Sequence, residues 1–264
     1  MHRGHTISVV VPCYNEEDGI PKVIRGLPPC VDEIVVADND SADRTAEVAR
    51  ALGARVVLET RRGYGAAYKR GLAEATRDVI VTMDGDCTYP MEAIEGLVDF
   101  LIDRDLDFVS ASRFPLRDPH AMNFSNKVGN WILTAAVWLL YGARMADSQS
   151  GMWVFRRGVL PLLNLTSDGM PFSEEIKIEA FRHPQVRFAE HPIDYHPRVG
   201  EVKLRRWRDG WENLRFLVRK RFGRLPASKP DPAAGPREAG PGPENSASRM
   251  EGHETHESGV RQDG

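Results

Sequence analysis

A chain of 264 residues with 41% hydrophobic residues has an ordinary globular composition and is long enough for one large α/β domain or two small ones. Its formal charge of −3 conceals an asymmetry: residues 198–224 hold ten Lys/Arg against three Asp/Glu, the pattern of a patch for phosphates, nucleic acid or anionic lipid. Three cysteines without metal-ligand spacing argue against a disulfide framework and fit a reducing cytosol. No run reaches the roughly 18–20 apolar residues of a membrane span, and the first apolar run, from Ile7, reads as a strand rather than a leader.

In chain order, the β-branched residues 7–11 predict a buried first strand that Pro12 ends. A polar loop over 13–17 precedes a helix from about Gly19. Residues 34–37 predict a second strand ending in Asp38-Asn39-Asp40-Ser41. Asp43 suits the cap of a helix over 44–52, which Gly53 terminates. A third strand is expected over 54–59, and Gly63-Tyr64-Gly65 opens a helix running to about Ala75. The run Val79-Ile80-Val81-Thr82-Met83 then stops abruptly at Asp84-Gly85-Asp86. Another helix starts near Pro90, which suits a first helical turn, and residues 107–110 predict a fifth strand. Strands alternating with helices of about ten residues mean βαβ units and a mostly parallel sheet with helices on both faces. The loops at 14–17, 38–41 and 84–86 should line one edge of that sheet, where open α/β sheets bind nucleotides.

Asp-Gly is also a common turn dipeptide, so the motif alone reads more readily as a surface turn. At the end of a buried strand, however, two carboxylates one residue apart suit Mg²⁺ or Mn²⁺, with water and substrate phosphates completing the shell. Gly85 is expected to free the backbone between them.

Beyond the fifth strand the pattern changes. Residues 128–141 are apolar nearly all round and predict a 14-residue helix, either buried or lying at an interface. Asp147-Ser148-Gln149-Ser150-Gly151 is a polar loop leading to a short strand over 152–155. Ser173 is expected to cap a helix over 174–182. Trp207, Trp211, Leu214, Val218 and Phe222 recur at helical spacing among Arg and Lys, the pattern of a basic amphipathic helix. Its apolar stripe either packs on the domain or meets a membrane. Residues 225–264, with six Pro, six Gly and no aromatic residue, predict a disordered tail, which leaves 1–224 as the folded domain.

The ordered set Val11-Pro12-Cys13-Tyr14-Asn15-Glu16, Asp38-Asn39-Asp40-Ser41-Ala42-Asp43-Arg44-Thr45, Gly63-Tyr64-Gly65-Ala66-Ala67 and Met83-Asp84-Gly85-Asp86 resembles the inverting family-2 glycosyltransferases. Arg113, Asp147 and the segment Arg198-Val-Gly-Glu-Val-Lys203 extend the likeness to the branch of dolichyl-phosphate mannose synthase and bacterial polyprenyl-phosphate glycosyltransferases, over about residues 6–204. The resemblance implies a GT-A fold, a UDP- or GDP-hexose donor, Mg²⁺ or Mn²⁺, and a polyprenyl-phosphate acceptor. It places Pro12, Tyr14, Glu16, Ala37 and Asn39 on the nucleoside, and Asp84, Gly85 and Asp86 on ribose, diphosphate and metal, with Asp86 the principal metal ligand. It sets Arg113 near the sugar and phosphates, and Arg198 and Lys203 on the donor diphosphate or acceptor phosphate. This chain departs from the family at Asn39, where a second Asp is common, and at Cys87, where Gly is frequent.

Transfer displaces a nucleoside diphosphate from the anomeric carbon, so charge grows on the leaving group and cations should meet it. Asp147 is the candidate base or acceptor-positioning group, alongside a loop-organising role; Glu174 and Glu175 are second candidates, beside a helix-end role. The resemblance, with the basic amphipathic helix, implies a hexosyltransferase held peripherally at the cytoplasmic face of a membrane, without nucleic acid as partner. A soluble glycosyltransferase with a small-molecule or protein acceptor, and a non-catalytic nucleotide-sugar-binding protein, are the alternatives.

Overall fold

β1 (Ile7–Cys13) is the strand on which the sheet is laid down. It pairs in parallel with β2 (Glu33–Asp38) on one side and β4 (Val79–Thr82) on the other, and β2 pairs in parallel with β3 (Arg55–Leu58). The computed structural model describes residues 1–116, 118, 121–196 and 206–223, all within one unit, Met1–Ser228. Pro12 does not end β1, because the strand runs one residue further and pairs Cys13 with Asp38.

Side chains along β1 alternate between two cores, as the period of a strand requires. Ile7, Val9 and Val11 pack on one face with residues of α1 (Ile20–Gly26), α2 (Thr45–Ala51) and α4 (Ala93–Asp103). Val10 packs on the other with α3 (Tyr64–Glu74) and α6 (Phe172–Arg182). Both faces are covered, which is why these strands read as unbroken apolar runs. Burying each Val or Ile stabilises the sheet by about 1.5–3 kcal/mol.

The second half of the sheet is less regular. The order among the described residues is β3-β2-β1-β4-β6-β5-β7. β6 (Trp153–Arg156) runs antiparallel to both β4 and β5 (Phe108–Ser112), and β7 (Phe188–Pro192) pairs in parallel with β5. A 3₁₀ helix, Arg157–Leu162, follows β6. β7 and this 3₁₀ helix have no counterpart in the sequence reading.

Several boundaries differ from expectation. α2 starts one residue later than expected, with Arg44 rather than Asp43 at its N-cap, and Asp43 Oδ1 accepts from the Thr45 amide at 3.0 Å in the turn leading into it. α4 begins at Ala93 rather than near Pro90. α5 (Phe124–Tyr141) has 18 residues rather than 14, and no helix among the described residues is long and apolar enough to cross a membrane. Ser173 lies inside the first turn of α6, its hydroxyl on the Met170 carbonyl, and does not cap the helix.

α7 (Arg206–Phe222) packs along α5 and α6 around Val137, Tyr141, Ile178 and Leu217. Tyr141 Oη donates to the Leu217 carbonyl at 2.7 Å. Lys220 Nζ lies 2.8 Å from Glu175 and 2.9 Å from Glu179 of α6. The inner face of α7 is therefore Asn213, Leu217 and Lys220, and of the stripe that the sequence singles out Trp211 (69% exposed), Val218 (44%) and Phe222 (72%) face outward, Leu214 is half-buried, and the side chain of Trp207 lies outside the described residues. α5 exposes Phe124, Val128, Trp131, Ile132, Trp138 and Leu139 on the face opposite its buried Asn130, Leu133 and Val137.

Candidate functional site

Because β2, β1 and β4 are parallel neighbours, their carboxyl ends deliver three loops to one crevice. The loops are tied to one another. The Asn15 amide donates to Ser41 Oγ at 3.0 Å, the Glu16 amide to Thr45 Oγ1 at 2.8 Å and the Asn39 amide to the Cys13 carbonyl at 2.8 Å. Each loop holds one non-glycine residue in the left-handed region: Asn15 at φ 53°, Asp40 at 58° and Cys87 at 64°. Strain of this kind collects at functional sites, and here it marks all three strand ends. Cys87 adopts the conformation for which Gly is favoured, which gives the family's frequent glycine a reason.

Asp86 is 6% exposed, and its Oδ1 accepts from the Thr88 amide at 3.1 Å and from Thr88 Oγ1 at 2.7 Å. Asp84 accepts from Tyr64 Oη at 3.2 Å and Tyr68 Oη at 3.5 Å. Burial pushes both phenols well above their usual range, so they remain donors. Gly85 is needed for space rather than for backbone freedom: a Cβ there would meet Cys13 Sγ at 2.9 Å. Among the described residues no three His, Cys, Asp or Glu side chains gather as a full ligand set. Two hard carboxylates in a crevice nonetheless fit a divalent ion that shares its shell with substrate phosphates and water.

On the nucleoside side, Tyr14 is 41% exposed and carries the Arg62 guanidinium 4.3 Å above its ring. Pro12 is half-buried and Glu16 buried beside them. Ala37 packs its side chain beneath α3 and can offer only backbone to a ligand. The Asn39 amide is spent on the chain itself, donating to the Glu59 and Arg61 carbonyls at 2.9 and 2.8 Å and accepting from the Gly63 amide at 2.8 Å. Beside it, Asp38 is 5% exposed, and its Oδ1 is buried without a hydrogen-bond partner among the described residues. Sequence reading passed over Asp38; its place immediately after an apolar strand was the available signal.

Across the crevice, Arg113 and Asp147 form a buried bidentate pair, Nε to Oδ2 at 2.7 Å and Nη2 to Oδ1 at 2.8 Å, with the Arg113 amide adding a third bond at 3.0 Å. Asn130 Nδ2 and the Gln149 amide also donate to Asp147 Oδ1, at 2.8 and 3.0 Å. Burial would raise the Asp147 carboxyl, but the charge and hydrogen bonds of Arg113 outweigh it and hold the group well below the usual carboxylate range. Such a carboxylate is a weak base whose oxygens are taken up in fixing Arg113, which lies 5.3 Å over the Tyr195 ring. Lys177 Nζ, itself buried, ties the loop's backbone through the Asp147 and Ser150 carbonyls at 3.0 and 2.9 Å. Gly151 closes the loop against Asp84: a Cβ there would collide with the Tyr64 hydroxyl and lie 3.3 Å from Asp84 Oδ1. The Gly151 amide donates to Tyr89 Oη at 2.6 Å and its carbonyl accepts from Tyr68 Oη at 3.2 Å. Tyr68 and Tyr89 carried no motif in the sequence, whereas Tyr64 belongs to Gly63-Tyr64-Gly65. Glu174 and Glu175 are both fully buried on α6 rather than in the crevice, and Arg198 and Lys203 lie outside the described residues.

A seven-stranded, mostly parallel sheet with a two-carboxylate motif at the end of its fourth strand is the GT-A architecture of nucleotide-sugar enzymes. Residues 8–161 match the family model described as Glycosyl transferase family 2, and the chain belongs to that family. It is 37% identical over 221 residues to the low-salt glycan biosynthesis hexosyltransferase Agl6 of Haloferax volcanii, covering 81% of this chain and 53% of the relative, so it spans about half the length of that protein. It is 36% identical over 201 residues to the dolichyl-phosphate hexose transferase of the same organism, covering 75% and 86%. Among solved structures, glucosyl-3-phosphoglycerate synthase from Mycobacterium tuberculosis, in complex with Mn²⁺, UDP-glucose and phosphoglyceric acid, superposes with a TM-score of 0.66 at 25% identity, over 83% of this chain and 80% of that one.

Proposed function

We propose that this chain transfers a hexose, with inversion, from a UDP- or GDP-sugar to a polyprenyl phosphate, with Asp86 and Asp84 holding Mg²⁺ or Mn²⁺. The observation that carries the reading is the convergence of the Asp84/Asp86 pair and the Arg113–Asp147 pair on the two sides of Gly151. A bound divalent ion supplies neutralisation of the leaving diphosphate. Tyr64 and Tyr68 hold the Asp84 carboxylate in place, and Thr88 holds Asp86. Asp147 acts by positioning: it keeps Arg113 charged and oriented toward the sugar and phosphates. A phosphate acceptor is already anionic near neutral pH and needs little proton abstraction, so a weakly basic carboxylate at this place is no handicap. Tyr14, Pro12, Glu16, Asp38 and the Ala37 and Asn39 backbone form the nucleoside end, and Arg198 and Lys203 meet the phosphates. The name of the 36% identical relative supports a dolichyl-type acceptor, and the bound UDP-glucose and Mn²⁺ of the structural neighbour support the donor and metal.

The acceptor would be reached by lying on the cytoplasmic face of a membrane. Outward Trp131, Trp138, Trp211 and Phe222, beside exposed Arg215 and Arg219, form an apolar surface rimmed by positive charge. Each Lys or Arg near an anionic leaflet contributes on the order of 1 kcal/mol, less with salt. A thermal-shift panel of UDP- and GDP-sugars with Mn²⁺, followed by a transfer assay to polyprenyl phosphate and flotation with anionic vesicles, tests the reading. Donor stabilisation with no lipid transfer and no vesicle binding at low salt would favour a small soluble acceptor instead.

A further inference from the structure

The loop over residues 147–151 is held from two sides. Toward the crevice, Asp147 grips Arg113 and Gly151 abuts Asp84. Away from the crevice, Gln149 reaches between two helices. Its Nε2 donates to Glu174 Oε1 of α6 and, at 2.9 Å, to Ser148 Oγ. Its Oε1 accepts from Asn213 Nδ2 of α7 at 3.1 Å. Glu174 is fully buried and Asn213 is 4% exposed. Three large polar side chains from three elements thus meet in the interior, where apolar residues of the same volume would be no less stable. What such a network provides is geometry: its members hold one another in register, and a change at one is felt at the next. Glu174 Oε2 and Asn213 Oδ1 have no partner among the described residues, so the network is not saturated and a shift of α7 can alter its pairing.

We propose that Glu174, Gln149 and Asn213 are positioning residues that pass the seat of α7 to the 147–151 loop, and through it to the Arg113–Asp147 pair. α7, like α5, touches this loop with one face and, on the reading above, a membrane with the other, but of the two only α7 reaches it through Gln149 among the described residues. The inference rests on that reading for its activity readout and for the membrane that meets the outer face. Docking of the outer face would then favour the loop geometry in which Asp147 and Gly151 sit correctly about Asp84, and turnover would be coupled to lipid contact. Lys220, salt-bridged to Glu175 and Glu179, supplies a pivot for α7 independent of the network.

The test compares Gln149→Leu, Asn213→Leu, their double variant, Glu174→Leu and Glu174→Gln in three measurements: kcat for hexosyl transfer in anionic vesicles, Mn²⁺–UDP affinity by calorimetry, and amide hydrogen exchange across residues 147–151. Each leucine variant is expected to lower kcat by tenfold or more, to leave nucleotide affinity within twofold and to speed exchange in the loop by about tenfold. The double variant is expected to be no worse than the worse single one, and Glu174→Gln to recover most of what Glu174→Leu loses. Asn213→Ala replaces Asn213→Leu should the latter not fold. Unchanged loop exchange, additive losses in the double variant, or equal losses of kcat and nucleotide affinity would each overturn the proposal. Absence of lipid transfer by the unaltered protein would instead count against the acceptor, and the exchange measurement would still judge the network.

Discussion

Glu174 offers a direct measure of the cost of its burial. Its carboxyl is pushed from an ordinary 4.5 up to about 8, first by burial, with the hydrogen bond from Gln149 and the Lys177 charge only partly offsetting that effect. The folded-state value lies above the unfolded one, so the neutral group's contribution is whole below pH 4.5 and is lost progressively as pH rises through about 8. Between these limits the folded protein holds one more proton than the unfolded chain, and stability falls by about 1.4 kcal/mol per pH unit, with a ceiling on the order of 5 kcal/mol. Glu174→Gln keeps the shape and the acceptor oxygen but cannot ionise. Urea midpoints of both proteins, in buffers from pH 5 to 8, should therefore diverge steadily, with the variant increasingly the more stable. Glu190 is also raised by burial, but it titrates in both proteins and cancels in the difference. Parallel curves across this window would show that Glu174 is ionised in the folded state and refute the reasoning.

Four further outcomes are expected. Asp86→Asn should abolish Mn²⁺-dependent donor binding in calorimetry while circular dichroism is unchanged; near-normal Mn²⁺ turnover would remove Asp86 from the metal site. Leu217→Ala, at a fully buried position on α7, should cost about 2–5 kcal/mol in chemical denaturation. Cys87→Val should cost about 1–3 kcal/mol because a β-branched residue resists a positive φ, whereas Cys87→Gly should not. Removing residues 225–264, whose composition lacks a stripe to pack, should leave melting temperature and transfer activity unchanged.

The first half of the sheet was legible because β1 and β4 are buried on both faces and the loops after them are short. Continuous runs such as residues 79–83 leave few alternatives, and the carboxylates that end them are conspicuous by contrast. β7 hid because it is half-buried and mixes Phe188 with Glu190 and His191, so it shows neither alternation nor an apolar run. The antiparallel entry of β6 between β4 and β5 is a long-range pairing that no local pattern encodes. α5 began earlier than expected because Ser125, Asn126 and Lys127 interrupt its apolar period. The stripe of α7 was visible, but not its direction. A polar inner face became possible only because Gln149, Glu175 and Glu179 wait there as partners. In the site, Asp84 and Asp86 stand out by motif, but Tyr68 and Tyr89 do not, and they meet Asp84 and Gly151 from the middle of α3 and from just beyond Asp86. The Asn39 side chain was read as a ligand group, yet it holds the loop before α3 in place.

The antiparallel β6 has a wider consequence. It separates β3-β2-β1-β4, which carries the nucleoside and metal groups proposed above, from β5 and β7, which with the following helices carry Arg113 and the outward-facing surface. Gly151, at the head of β6, is the seam between the two. A chain so divided can exchange one module while leaving the other's register untouched, because alterations in β5, β7, α5 or α7 do not pass through the β1–β4 pairing. The same frame can then be retargeted to different acceptors by drift on one side of a single strand.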